Sequence, residues 1–185
     1  MSKEILVPIA EGSEEIEAVC IIDVLRRAGA HVTVASVSES RVKASRGVKI
    51  VADVLISEII DNNYDLIVLP GGMPGAENLR DSKELETLLR RQHRDDKLYG
   101  AICAAPVVVL QHHGLLDNHK ATAHPDFASQ LVNRDAVQSR VVVDGNCITS
   151  RAPGTAIEFA LKCVELLYGK DKADEVAGPM LVTRT

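Results

Sequence analysis

Cys103 stands in Gly100-Ala101-Ile102-Cys103-Ala104-Ala105-Pro106, where a β-like run meets a helix whose early Pro106 suits the first turn. A cysteine at that junction faces the unpaired N–H groups and positive end of the helix, which favour thiolate over thiol. Small neighbours permit a sharp turn, as in the nucleophile elbow of hydrolases, although the glycine-flanked serine motif is absent. The competing reading is a small buried hydrophobe, the commoner use of an intracellular cysteine.

Three further groups stand at similar junctions. In Glu11-Gly12-Ser13-Glu14-Glu15-Ile16-Glu17, Ser13 can cap the following helix, while Glu14 and Glu15 read as solvated carboxylates suited to its positive end. Glu17 shares a stripe with Ile21 and Val24 and is expected to face inward, either as a rim carboxylate or as an acid/base partner holding its proton. Leu69-Pro70-Gly71-Gly72-Met73-Pro74-Gly75 can form a nest of N–H groups for an oxyanion, or a plain turn. It lacks the Gly-Lys-Ser/Thr of a phosphate loop. His124 follows Lys120 to Ala123 and precedes Pro125, whereas His93, His112, His113 and His119 read as surface or satisfied core residues. In an open parallel sheet, groups at the carboxyl ends of neighbouring strands converge on one crevice, and Glu17, Gly72, Cys103 and His124 all sit at such ends.

The elements that position them alternate as short apolar runs and helical patterns, the signature of a parallel sheet covered on both faces. Strands are predicted at Ile5 to Ile9, His31 to Val37, Leu66 to Leu69, Tyr99 to Ile102 and Lys120 to Ala123. A first helix carries two rows, Ile16, Val19, Cys20, Asp23 and Glu17, Ile21, Val24, Ala28, with Gly29 as its stop. Ser82 to Gln92 reads as a helix capped by Asp81 or Ser82, and Thr155 to Tyr168 and Lys170 to Ala177 as two more, separated by Gly169. Hairpins are predicted around Ser45-Arg46-Gly47 and Asp144-Gly145. No repeat, low-complexity tract or linker interrupts the chain, so residues 1–185 are expected to form one domain.

Composition narrows the function. The chain is 46% hydrophobic and only 3% aromatic, which favours β-branched strands and Ala/Leu helices. A formal charge of −5 gives no net attraction to phosphate backbones or anionic lipid, so nucleic acid is not an expected partner. No apolar run approaches the ~20 residues of a membrane span. Without a secretory signal pattern at the start, the cytoplasm is the expected compartment. Cys20, Cys103, Cys147 and Cys163 form no C-x-x-C pair and no metal-ligand spacing.

Taken together, residues 11 to 17, Leu-Pro-Gly-Gly at 69 to 72, Ala-Ile-Cys-Ala-Ala-Pro at 101 to 106, His124-Pro125 and Thr-Ser-Arg-Ala-Pro-Gly-Thr at 149 to 155 resemble the ThiJ/PfpI superfamily over essentially the whole chain. Its parkinsonism-associated protein deglycase branch is most similar. The resemblance implies a flavodoxin-like three-layer α/β sandwich with a mainly parallel central sheet, a homodimer, and no metal or organic cofactor. It matches Cys103 to the reactive cysteine, Glu17 to the carboxylate on its sulfur and His124 to the nearby histidine. Gly71, Gly72 and Ala104 match the oxyanion and substrate-binding backbone, and Arg27, Arg46 and Arg151 match arginines of the dimer interface or site entrance. The implied activity is cysteine-dependent handling of 2-oxoaldehydes such as methylglyoxal, free or as glycation adducts on amino acids and proteins. A redox-sensing or chaperone-like role through oxidation of Cys103 is the alternative. Three departures stand out: Met73 replaces a frequent Asn, and Ala104 replaces the His that follows the nucleophile in peptidase members, which disfavours peptidase activity. Ala44 and Val51 stand where a related protein has cysteines, leaving Cys103 as the expected focus of redox chemistry.

Overall fold

The computed structural model describes residues 2–183; Met1, Arg184 and Thr185, the ends of the expected domain, lie outside the described residues. Strand β1 (Glu4–Ile9) leads into helix α1 (Glu15–Arg27) and returns as β2 (His31–Ser36), the predicted β-α-β opening. Then follow β3 (Arg41–Lys43), β4 (Lys49–Val51), β5 (Val54–Leu55), β6 (Leu66–Leu69), α2 (Gly75–Asp81), α3 (Lys83–Arg94) and β7 (Leu98–Ile102). A π-helical segment, Pro106–Gln111, follows the elbow, and α4 (Pro125–Ala128), β8 (Val141–Asp144), β9 (Cys147–Ser150), α5 (Ala156–Tyr168) and α6 (Lys170–Ala177) complete the order.

Seven strands form one sheet in the order β5-β2-β1-β6-β7-β9-β8, parallel throughout except for the β8–β9 hairpin; β3 and β4 pair separately as the predicted arm. The strands are apolar on both faces because both faces are covered. Side chains alternate across them: Ile5, Val7, Leu66 and Val68 pack in the layer of α1, α5 and α6, while Leu6, Ile67 and Leu69 pack in the layer of α2 and α3. This is the expected three-layer α/β sandwich. The turn residues also behave as read, with Gly29 at φ +86° after α1 and Gly145 at φ +58° between β8 and β9.

Two readings are corrected. Lys120 to Ala123 is not a strand, since the Thr122 N–H donates to the Thr149 side-chain oxygen (3.0 Å) instead of a neighbouring backbone. Ser13 does not cap α1: its hydroxyl accepts from the Ala10 N–H at 3.0 Å, and Glu14 is the cap, accepting from the Ile16 N–H. Among the described residues no helix is long and apolar enough to cross a membrane.

Candidate functional site

β7 ends at Ile102, and the next residue bends back at φ +68°, a left-handed conformation for a non-glycine residue. Such backbone strain costs on the order of 1–3 kcal/mol and persists only where neighbours over-determine it. Here they do: the Cys103 N–H donates to the Ser150 carbonyl at 3.1 Å, and the Cys103 carbonyl accepts from the His124 N–H at 2.8 Å. The elbow is thereby clamped between the end of β9 and the start of α4, with the sulfur raised above the sheet.

Glu17 is fully buried on α1. Its Oε2 accepts from the Gly71 N–H at 2.8 Å, its Oε1 is buried without a hydrogen-bond partner, and the carboxyl lies against the Cys103 thiol. Gly71 is required for this approach: a Cβ there would lie 2.6 Å from the Cys103 Cβ and 3.0 Å from Glu17 Oε2. Gly72, at φ +87°, turns its N–H toward the same sulfur, joined by the N–H of Ala104. The N–H groups expected as oxyanion donors therefore meet at the Cys103 sulfur.

Burial pushes Glu17 up to about 7, against the hydrogen bonds from Gly71 and the thiol. Burial and then the Glu17 charge push the Cys103 thiol up to about 12, opposed by the N–H groups of Gly72 and Ala104. The acidified thiol expected from the helix end alone is thus corrected, because desolvation and a facing carboxylate outweigh that end. Two adjacent buried groups do not both carry charge, so Glu17 and Cys103 ionise one at a time, and the singly protonated pair rests as thiol and carboxylate. When the proton passes from the sulfur to Glu17, the carboxyl donates to sulfur and the two N–H groups stabilise the thiolate.

Cys103, Gly72 and Ala104 open onto a pocket of about 290 Å³, walled by Glu14, Ser45, Arg46, Met73, His124 and Phe127 among others. His124 Nδ1 accepts from the Asp126 N–H at 3.2 Å, which leaves the proton of the neutral ring on Nε2. Asp126 Oδ2 lies 3.5 Å from Nδ1, but its side chain is 81% exposed, and an Nδ1 that accepts has no proton to give it. Of the three arginines only Arg46 lines the pocket. Arg27 pairs with Asp23 on the exposed side of α1, and Arg151 follows β9 with a buried Nε that has no partner.

Glu14 and Glu15 are not solvated. They are 8% and 7% exposed, and the Ser45 hydroxyl lies 2.6 Å from Glu14 Oε2 and 2.9 Å from Glu15 Oε2. Glu15 also accepts from the Arg46 N–H at 2.9 and 3.1 Å. Ser45 and Glu14 are pocket residues that the sequence reading missed, since helical spacing cannot register a hairpin turn some thirty positions away. The predicted turn at residues 45–47, just before an apolar strand, was the available signal. Among the described residues no cluster of His, Cys, Asp and Glu is arranged to hold a metal ion.

The DJ-1/PfpI family model matches residues 3–166. Protein DJ-1 homolog B of Arabidopsis thaliana is 54% identical over 180 residues, 97% of this chain but 41% of that protein, so the chain spans less than half of that relative. The glutathione-independent glyoxalase DJR-1.2 of Caenorhabditis elegans is 37% identical, covering 97% of this chain and 96% of the relative. The solved structure of oxidized Toxoplasma gondii DJ-1 superposes with a TM-score of 0.96 at 49% identity, covering 99% of this chain and 100% of that one.

Proposed function

The chain belongs to the DJ-1/PfpI family, and from that premise we propose that it is a cysteine-dependent enzyme of reactive 2-oxoaldehydes, converting methylglyoxal to lactate without glutathione or hydrolysing early glycation adducts. The observation that carries this reading is the buried Glu17 carboxyl facing the sulfur of a strained elbow cysteine, with the Gly72 and Ala104 N–H groups beside it. A relative that aligns along nearly its full length is named a glutathione-independent glyoxalase, which supports the same reading.

The chemistry follows from the shared proton. With the proton on Glu17, the Cys103 thiolate adds to the aldehyde carbon, and the carbonyl electron pair moves to an oxygen received by the Gly72 and Ala104 N–H groups. Glu17 passes its proton to that oxygen and, now a carboxylate, takes the hydrogen on C1 as a proton and returns it to C2, while His124 carries the proton of the C1 oxygen to the C2 oxygen, converting the hemithioacetal into a lactoyl thioester. Water cleaves that thioester, releasing lactate and returning the thiol, so one methylglyoxal and one water give one lactate. For a hemiaminal adduct, the thiolate displaces the amine at C1, the C–N bond breaking as C–S forms and the amine leaving with the proton of Glu17, which gives the same hemithioacetal. No step calls on a metal or organic cofactor.

A second reading is favoured by one feature. A carboxyl pushed up to about 7 against a thiol can donate a hydrogen bond to an oxidised sulfur, which supports an oxidation sensor or redox-regulated chaperone. The proposal also includes a cytoplasmic homodimer. α1 and the β3–β4 arm meet through Glu15 and Arg46 and expose Ile16, Val19, Val48 and Val51, an apolar surface suited to a second copy. Steady-state lactate formation from methylglyoxal in the absence of glutathione separates the two. Many turnovers per chain support the enzyme, and consumption of a single equivalent sinks it in favour of the sensor.

A further inference from the structure

Glu17 is fully buried behind the sulfur and is absent from the pocket wall, whereas Glu14 is part of that wall. Glu14 is fixed there from both sides. Its N–H donates to the Gly71 carbonyl at 2.9 Å, and its backbone lies so close to Gly72 that a Cβ on that glycine would come within 2.5 Å of the Glu14 nitrogen. Its carboxyl is tied by Oε2 to Ser45 at 2.6 Å and, more loosely, by Oε1 to the Ile16 N–H at 3.3 Å. The Ser45 hydroxyl has one proton for two carboxyl groups, while Glu15 already takes the Arg46 N–H. Glu14 therefore keeps acceptor capacity in a pocket whose other polar side chains are Ser45, Arg46, His124 and the exposed Asp126.

Size bears on the same point. Methylglyoxal has five non-hydrogen atoms, which at the ~30 Å³ each that a water claims in the liquid fill roughly half of the pocket. It also carries only carbonyl oxygens, which offer nothing to an acceptor.

Resting on the proposed aldehyde chemistry, we propose that Glu14 is a specificity-determining residue: it accepts a hydrogen bond from a hydroxyl or amine next to the dicarbonyl, so that donor-bearing 2-oxoaldehydes and amine adducts are preferred over bare methylglyoxal. With the substrate oxygen held by the N–H of Gly72, Glu14 is the adjoining side chain on that flank. It acts on the remote end of the molecule and takes no part in the proton transfers at sulfur.

The test compares methylglyoxal with 3-hydroxy-2-oxopropanal, which differs by one hydroxyl and yields glycerate by the same sequence. A hydrogen bond to a carboxylate is worth about tenfold or more, and the wild-type kcat/KM ratio is expected to favour the hydroxylated aldehyde by at least that factor. Glu14→Leu brings the ratio close to one, and Glu14→Gln retains part of the preference through its amide oxygen. A wild-type ratio near one, or Glu14→Leu and Glu14→Gln lowering both substrates equally, overturns the role of Glu14 while leaving the aldehyde chemistry standing. Absence of turnover on both substrates with wild type overturns that chemistry and this inference with it.

Discussion

Cys103 and Cys163 are both pushed up to about 12, yet they occupy opposite chemical situations. Cys163 lies inside α5 among Ile21, Phe159 and Val164, and burial alone raises it against one main-chain hydrogen bond. Nothing beside it can take its proton or receive a charge. At Cys103 burial is joined by a carboxyl that is itself pushed up to about 7, and two N–H groups point at the sulfur. The difference teaches that the thiol's own affinity for its proton does not tell the two sites apart. What does is whether a neighbour offers that proton another position.

The strongest way to break the comparison is to exchange the sulfur. Cys103→Ser leaves a poorer nucleophile on the same elbow and is expected to lower lactate turnover by roughly a thousandfold or more. Single-turnover kinetics check this; a modest loss would mean that sulfur is not the attacking atom. Next in size is Glu17→Gln, which keeps the Gly71 hydrogen bond but cannot take up the thiol proton. Turnover should drop about a hundredfold, within the usual range for a general acid/base group, and the pH dependence near 7 should vanish with it. The same substitution has a stability signature. A carboxyl raised from 4.5 to about 7 binds its proton more tightly when folded, so its contribution is complete below pH 4.5 and is lost as pH rises through 7. Relative to Glu17→Gln, wild type should lose roughly 3 kcal/mol between those limits, read by urea unfolding at several pH values.

These contrasts also show how much of the site was legible in the sequence. The elbow could be read because Gly100 to Pro106 carries its own local signals, small residues and an early helical proline. Glu17 could be read because its stripe with Ile21 and Val24 fixes its face on α1. Glu14 and Glu15 were misread because their burial comes from Ser45 and Arg46 on the β3–β4 arm, and helical periodicity carries no information about an element folded over from elsewhere. Lys120 to Ala123 has the composition of a strand, but β9 reaches it through the Thr149 side chain, so no ladder forms. Helix α2 went unpredicted because its glycine and proline neighbours read as loop. Its first glycine packs against Gly12 and Ser13, a close approach that local pattern cannot reveal. Even the raised thiol follows from this limit, since the sequence supplied the helix end but not the depth of burial opposing it.

Cys163→Ala sharpens the comparison from the other side. Removing a fully buried sulfur from the α1–α5 layer leaves a small void and should cost about 1–2 kcal/mol of unfolding free energy. Turnover per folded molecule should remain that of wild type, and a large loss would show that a high thiol pKa by itself marks a functional group in this chain.

The smallest effect is expected at Arg27. Its Nε meets Asp23 Oδ2 at 2.5 Å, one helical turn back on α1, with both side chains about half exposed. A solvent-screened pair of this spacing contributes about 0.3–0.5 kcal/mol, so within one subunit Arg27→Ala should barely shift the unfolding midpoint. Because Arg27 is absent from the pocket wall, kcat and KM measured at high protein concentration should not change. The interface role implied by resemblance makes a different demand: dilution should separate Arg27→Ala into single chains at a higher concentration than wild type, as read by sedimentation. If turnover falls at all concentrations instead, Arg27 acts on the site from its place on the outer side of α1. If neither dilution nor turnover distinguishes the variant, the arginine serves only its pair with Asp23, and the interface is carried by the apolar residues beside it.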